Sequence, residues 1–464
     1  MHKIWKTAYS KCIDTTSIQE DAQMQRKLSL LTRRFDRQNA IDRTKLKNQM
    51  YYQSLQENIE PQSTYFLPKF FVVSILIFLT AVPAFASETK SKQNEVIEVS
   101  ADAGTVNLNL ESRAALLLEP TTGAVLFEHN AHEKLPPASV TKVMTLLLIY
   151  DSVAAGKIRW DDLVTISSHA ANMGGSQIFL EEGQTQNVKD LTKSISIASA
   201  NDASVAMAEY IAGSEEGFVT LMNNRAKSLG MENTNFKNAC GLDTDGHLTT
   251  AYDIALMAAE LITKYPEISE TALIWMDEIT HKTKRGNQTF GLTNTNKMIK
   301  SYTGITGLKT GSTSQALFCM AATATKDDLS LVSVILGGPN SKTRFDEAGR
   351  LLDHGYANFA IVKGEEPGTP KGIVTVHKGE VEEIELVVAS QVNALVSKGD
   401  STELSQELET LESVTAPVEK GTKAGEIIYK QNGREVGRAD LIVSEDIPKA
   451  GLSHMIRKLF FNWH

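Results

Sequence analysis

Three short patterns in this 464-residue chain bring together groups that can do chemistry. Ser139-Val140-Thr141-Lys142 sets a hydroxyl and an amine three residues apart. Ser199-Ala200-Asn201 adds a hydroxyl and an amide. Lys309-Thr310-Gly311 adds an amine and a hydroxyl beside a residue with no side chain. A serine hydroxyl next to an amine is the raw material of nucleophilic catalysis, provided the amine is neutral and can take the hydroxyl proton. Burial and a nearby positive charge both lower the pKa of a lysine, and Lys309 is the candidate source of that charge for Lys142. No His falls in any of the three patterns, so the base is sought among the lysines.

Each pattern taken alone has a plainer reading. Ser-x-x-Lys at a helix start is a cap followed by a surface lysine, and Ser87-Glu88-Thr89-Lys90 matches by accident in polar surroundings. Ser-x-Asn is a helix-joining turn. Lys-Thr-Gly is an edge strand with a solvated lysine. The order of all three, each in a fitting context, carries the functional reading.

The elements that must position them follow from the apolar pattern. Pro136-Pro137-Ala138 leads into an apolar helical run over 139–150, so Ser139 opens a helix. Spacing i, i+3 sets the Ser139 hydroxyl and the Lys142 amine on one helical face. A helix start also offers free N–H groups and a positive dipole end to developing negative charge. Ser199 and Asn201 fall between helical stretches at 188–199 and 203–213, and Lys309 falls on a strand at 307–310. Strands at 114–118 and 124–128 precede helices at 218–229 and 250–263, strands at 317–324 and 329–336 follow them, and a last helix lies near 344–358. Strands at both ends of a helical middle predict one antiparallel sheet completed from two distant pieces of chain.

After about residue 363 the texture changes to short strand candidates at 373–376, 382–388, 426–430 and 439–443. Asn432-Gly433 is a two-residue hairpin signal between the last two. The final stretch is amphipathic, with Leu452, Met455, Ile456, Leu459, Phe460 and Trp463 on one helical face. It is too short to span a bilayer and suits lying on a membrane surface; the alternative is a helix docked on its own domain. Near the other end, 70–82 is a 13-residue apolar run with Lys69 before it and Ala84-Phe85-Ala86 after it, the form of a secretory signal peptide cleaved after Ala86. The polar stretch before that run reads either as untranslated, with a start near Leu67, or as a cytoplasmic extension on an uncleaved anchor. The expected order is a polar extension (1–63), a signal peptide (64–86), a linker (87–110), a catalytic domain (111–362), a β domain (363–448) and the tail (449–464).

Charge divides with these segments. Residues 1–63 hold 11 Lys/Arg and 7 Asp/Glu, whereas 87–464 holds 35 against 49. An acidic main body argues against nucleic acid as a partner. Cys12, Cys240 and Cys319 show no metal-ligand spacing, so no metal and no cofactor are expected. Cys240 and Cys319 read as small buried thiols, with a disulfide between them as the alternative.

The chain resembles the low-molecular-mass penicillin-binding proteins, the serine D-Ala-D-Ala carboxypeptidases of peptidase family S11. The resemblance runs over roughly 110–360 and 365–450 and rests on the three motifs. It also rests on the stretches IASANDASVA at 197–206, NACGLDTDGHLTTAYD at 238–253, GLKTGST at 307–313 and APVEKGTKAG at 416–425. It implies an α+β fold: a β-lactamase/transpeptidase-like catalytic domain, an antiparallel sheet with a helical subdomain, followed by a small all-β domain. It implies a peptidoglycan pentapeptide as substrate, β-lactam antibiotics as covalent inhibitors, and a place at the outer face of the bacterial plasma membrane. In that scheme Ser139 attacks the carbonyl between the last two D-alanines, with Lys142 as base. Ser199 passes a proton to the leaving D-alanine, while Asn201 holds the substrate amide and orients Lys142. Lys309 and Thr310 bind the terminal carboxylate and Gly311 lets the substrate backbone approach. The backbone N–H groups of Ser139 and Ser312 form the oxyanion hole.

The chain departs from the family at Thr306, where members often carry Asp, and at Ser312, where many carry His or Tyr. It has no Arg near 293–296 to help bind the carboxylate; Arg344 is the expected substitute. Two other classes share some features. A class A β-lactamase needs a Glu between the second and third motifs; Glu232 and Glu260 stand there, in the wrong local context. A non-catalytic penicillin-binding sensor is expected to lack a catalytic residue, and none is missing.

Overall fold

A computed structural model describes residues 107–283, 286–399 and 403–452, together with His454 and Ile456. The expected leader, the polar stretch ahead of it and most of the amphipathic tail lie outside the described residues.

The first strands are β1 (Ala114–Leu118), β2 (Val125–His129), β3 (Leu163–Thr165), β4 (Thr185–Asn187), β5 (Met276–Thr283) and β6 (Gly286–Thr293). They are followed by β7 (Ile305–Thr313), β8 (Leu317–Lys326) and β9 (Leu329–Gly338). Five of them form one antiparallel sheet in the order β2-β1-β9-β8-β7. The sheet is thus closed by two strands from the start of the domain and three from its end, as the sequence pattern predicts. Both faces are covered, which explains the unbroken apolar runs. Along β1, Ala114, Leu116 and Leu118 join a core with the helices, while Ala115 and Leu117 join a second core on the opposite face.

The helices are α1 (Lys142–Ala154), α2 (Val188–Ile197), α3 (Asn201–Ala212), α4 (Glu215–Ser228), α5 (Ala251–Lys264) and α6 (Ser341–Asn358), with shorter turns between them. Four of these six helices start on a side-chain cap. Asn187 caps α2, Ser214 caps α4, Thr250 caps α5 and Asn340 caps α6, each accepting a backbone N–H of the first turn. In the larger core Val143, Leu146 and Ile149 of α1 lie with Ile254 and Ala258 of α5 and with the helix-side residues of the sheet.

The sequence pattern misses the β5–β6 hairpin. Of β5 only Ile279 and His281 are buried, and β6 buries only Leu292. A ribbon this exposed leaves no apolar alternation to read.

The C-terminal strands are β10 (Phe359–Lys363), β11 (Pro370–His377), β12 (Glu383–Val388), β13 (Asn393–Ser397), β14 (Ser405–Thr410), β15 (Ser413–Thr415), β16 (Lys423–Gln431) and β17 (Arg434–Val443). β10 pairs with β13, and the other six form a sheet in the order β14-β16-β17-β12-β11-β15. The sheet has its own core, with Val374, Leu386, Ile427, Tyr429 and Leu441. Asn432 and Gly433 both take positive φ, 50° and 79°, as a type I′ hairpin turn requires. β14 escapes a sequence reading because every one of its residues is exposed.

Candidate active site

The nucleophile turn differs from the expected helix start. Ser139 lies in a 3-10 turn, Ala138–Thr141, and the α-helix begins only at Lys142. Residues i and i+3 nearly eclipse in that geometry, so the hydroxyl and amine still meet. Neither plain reading of the motif survives. Neither Ser139 nor any other side chain caps this helix start, and Lys142 is a wholly buried lysine rather than a surface one.

Lys142 Nζ lies 3.0 Å from Ser139 Oγ, 2.7 Å from Asn201 Oδ1 and 2.7 Å from the Cys240 carbonyl. Asn201 Oδ1 and the Cys240 carbonyl only accept, so in the neutral amine they take its two N–H groups. The lone pair is then left for the Ser139 hydroxyl. Burial pulls the Lys142 pKa from the usual 10.5 to about 8, against the opposing pulls of Cys240 and Asp202. At pH 7 that leaves about one amine in ten neutral.

The second wall is the break between α2 and α3. Asn201 Nδ2 donates to the Gly174 carbonyl at 2.6 Å, which fixes the side-chain amide with its oxygen toward Lys142. Its backbone N–H donates to the Ser176 carbonyl at 2.7 Å. Next to it the buried Asp202 carboxylate accepts from the N–H groups of Ile178, Leu180 and Ala203. These bonds lock the 174–180 segment onto the start of α3. Ser199 has φ +60°, a strained value for a residue with a side chain. Its Oγ is buried without a hydrogen-bond partner among the described residues.

The third wall is β7, the edge strand of the sheet. Lys309 is 1% exposed, and its Nζ donates to the Thr310 carbonyl at 3.0 Å. Its pKa is pushed well below the usual lysine value by burial first, then by Lys142 and Arg344. The anticipated repulsion between the lysines therefore bears on Lys309, while burial is the leading cause at Lys142. Gly311 is required by contact: a Cβ there would lie 2.8 Å from the Ser139 nitrogen and 2.9 Å from that of Val140. Ser312 follows on the exposed side of the strand.

Two residues expected to bind the carboxylate also have partners within the protein. Arg344, in α6, donates from Nη1 to the Gly311 carbonyl at 2.9 Å and stacks over Phe318 and Phe345. Its guanidinium thus supports β7 from below. Thr310 Oγ1 donates to Thr295 Oγ1 at 2.7 Å, in the segment where the resemblance calls for an Arg.

The sequence reading missed Cys240, Thr295, the 174–176 carbonyls and Asp202. Most of these act through backbone atoms or sit beside a motif, so no residue type marks them. Cys240 and Cys319 are both free and buried, as the thiol reading predicts. Glu260, one candidate for a lactamase-type glutamate, is instead ion-paired with Arg225 and Lys264.

Comparison with known proteins identifies the family. A family described as D-alanyl-D-alanine carboxypeptidase matches residues 97–340, and the C-terminal domain of penicillin-binding protein 5 matches 360–449. The D-alanyl-D-alanine carboxypeptidase DacF of Bacillus subtilis is 37% identical over 393 residues, covering 84% of this chain and 97% of its own. DacC of Escherichia coli, of the same description, is 35% identical over 82% of this chain and 91% of its own. The crystal structure of penicillin binding protein 5 from Haemophilus influenzae superposes with a TM-score of 0.63 at 31% identity, over 73% of this chain and 98% of that one.

Proposed function

The chain belongs to the D-alanyl-D-alanine carboxypeptidase family and is a serine hydrolase of that type; on that premise we propose how its own residues divide the work. One observation carries the reading: a buried lysine amine whose other two partners accept, leaving its lone pair for Ser139. Ser139 Oγ attacks the carbonyl carbon of the penultimate D-alanine of a peptidoglycan pentapeptide while Lys142 Nζ takes its proton. The oxyanion is met by the backbone N–H groups of Ser139 and Ser312. The C–N bond then breaks, and the leaving amine receives a proton through the unpartnered Ser199 hydroxyl. Water hydrolyses the remaining ester, and Ser139 recovers its proton. A β-lactam enters the same path and stops at the acyl-enzyme.

Lys309 and Thr310 take the terminal carboxylate. The two lysines titrate as a pair, and an incoming carboxylate settles the shared positive charge on Lys309, leaving Lys142 as base. Asn201 holds Lys142 and the substrate amide. Arg344 is a positioning residue for the Gly311 carbonyl in this reading, and carboxylate binding falls to Lys309 and Thr310.

The reading extends to location. The apolar run at 70–82 directs export with cleavage after Ala86, and the tail lays its apolar face on the outer surface of the plasma membrane. Exposed Leu452 and Ile456, the described members of that face, support this. The test is D-alanine release from a pentapeptide cell-wall fragment, with and without penicillin. Release that penicillin abolishes is expected. Covalent labelling without release would overturn the hydrolytic reading in favour of a sensor.

A further inference from the structure

The loop at 237–247 touches α1 and the turn before it at four points. Thr145 Oγ1 donates to the Ala239 carbonyl at 2.6 Å, and Lys142 Nζ reaches the Cys240 carbonyl. Gly241, at φ +85°, packs so closely on the turn that an added Cβ would lie 1.8 Å from the Ala138 carbonyl oxygen. The fourth point is His247, 3% exposed, whose Nε2 lies 2.9 Å from Thr141 Oγ1. Thr141 stands between Ser139 and Lys142 in sequence and contributes no group to the reaction.

The tautomer of His247 is set by its other nitrogen. Nδ1 accepts from the Lys237 backbone N–H at 3.2 Å, so Nε2 carries the proton and donates to Thr141. Burial lowers the His247 pKa to about 4, with Asp243 opposing and Lys237 assisting, so the ring is neutral at neutral pH. The edge of Phe236 packs against it at 5.8 Å. The ring thus ties both ends of the loop, Lys237 and itself, to the middle of the Ser-x-x-Lys turn.

We propose that His247 is a positioning residue: by holding Thr141 it pins the loop on the nucleophile turn, so that the Cys240 carbonyl stays on Lys142. This rests on Lys142 acting as the base. Without the pin, the Cys240 carbonyl withdraws and water reaches the amine. The amine then regains a more ordinary, higher pKa and loses its orientation toward Ser139.

The experiment follows acylation by a fluorescent penicillin between pH 6 and 10 on the full chain, with thermal melting beside it. In His247→Leu, acylation at pH 7 is expected to fall about tenfold or more, and its rise with pH to shift upward by roughly half a unit or more. His247→Gln, whose amide can still donate to Thr141, is expected to return the pH curve and most of the rate. Should His247→Leu fail to fold, Thr141→Val removes the same hydrogen bond with little change of volume, and the same upward shift is expected. A folded His247→Leu or Thr141→Val with the wild-type pH curve, even with a lowered melting point, overturns the proposal. A wild-type curve with no rise at all would instead count against Lys142 as base, so the two failures are distinguishable.

Discussion

In the C-terminal sheet, Lys423 meets Glu426 and Asp440, Lys430 meets Glu407, and Arg438 meets Glu426 and Glu435, mostly on half-exposed side chains. At the Ser139 site, Lys142 and Lys309 are buried, and the hydrogen-bond partners of their amines among the described residues are a hydroxyl, an amide oxygen and backbone carbonyls rather than carboxylates. Both regions hold several basic groups, but the costs differ. Exposed pairs gain little and lose little, about 0–1 kcal/mol each. A buried lysine without a directly paired carboxylate holds its proton less tightly, because burial penalises the charged form. The surface arrangement keeps lysines charged, whereas the buried one makes an amine available as a base.

The comparison breaks most sharply at Ser139. Ser139→Ala should abolish covalent penicillin labelling, while its melting point stays close to the wild type, because the hydroxyl caps no helix. Retained labelling would move the nucleophile elsewhere. Next comes Lys142→Arg, which keeps a cation but cannot lose its proton. Its acylation rate should fall by about 10²-fold or more, the range for a lost general base, and so match Lys142→Ala. A substantially faster Arg variant would make Lys142 an electrostatic partner only.

Smaller effects sharpen the contrast. Gly241→Ala adds a methyl against the Ala138 carbonyl at a positive φ; the φ alone costs about 1–3 kcal/mol and the clash adds to it, so at least that loss is expected in urea unfolding, with slower acylation. At the other extreme, Arg438→Ala should cost under about 1 kcal/mol and leave acylation unchanged. A larger loss there would mean that the surface ion pairs act as a network.

The same contrast governs what the sequence made legible. The sheet and the main helices are readable because β1, β8, β9 and α1 bury apolar runs. The exposed β5–β6 ribbon and β14 were not, since their residues answer to solvent. At the site, Ser139, Lys142, Asn201 and Lys309 were readable because their chemistry lies in their side chains. The carbonyls of Cys240 and Gly174 were not, because a backbone oxygen carries no residue type. Arg344 is singled out by its match to an Arg of the family, but that its guanidinium donates to the Gly311 carbonyl is not legible, because a charge in sequence does not say which atom it meets.

The central claim is that burial turns Lys142 into a base for Ser139, and the pH dependence of wild-type acylation by a penicillin tests it most directly. Neutral Lys142 and charged Lys309 are both required, so the second-order rate should rise about tenfold per pH unit below an apparent pKa near the value of about 8 set by burial at Lys142, and fall again at higher pH as Lys309 loses its proton. A rate that stays flat from pH 6 to 10 would contradict it.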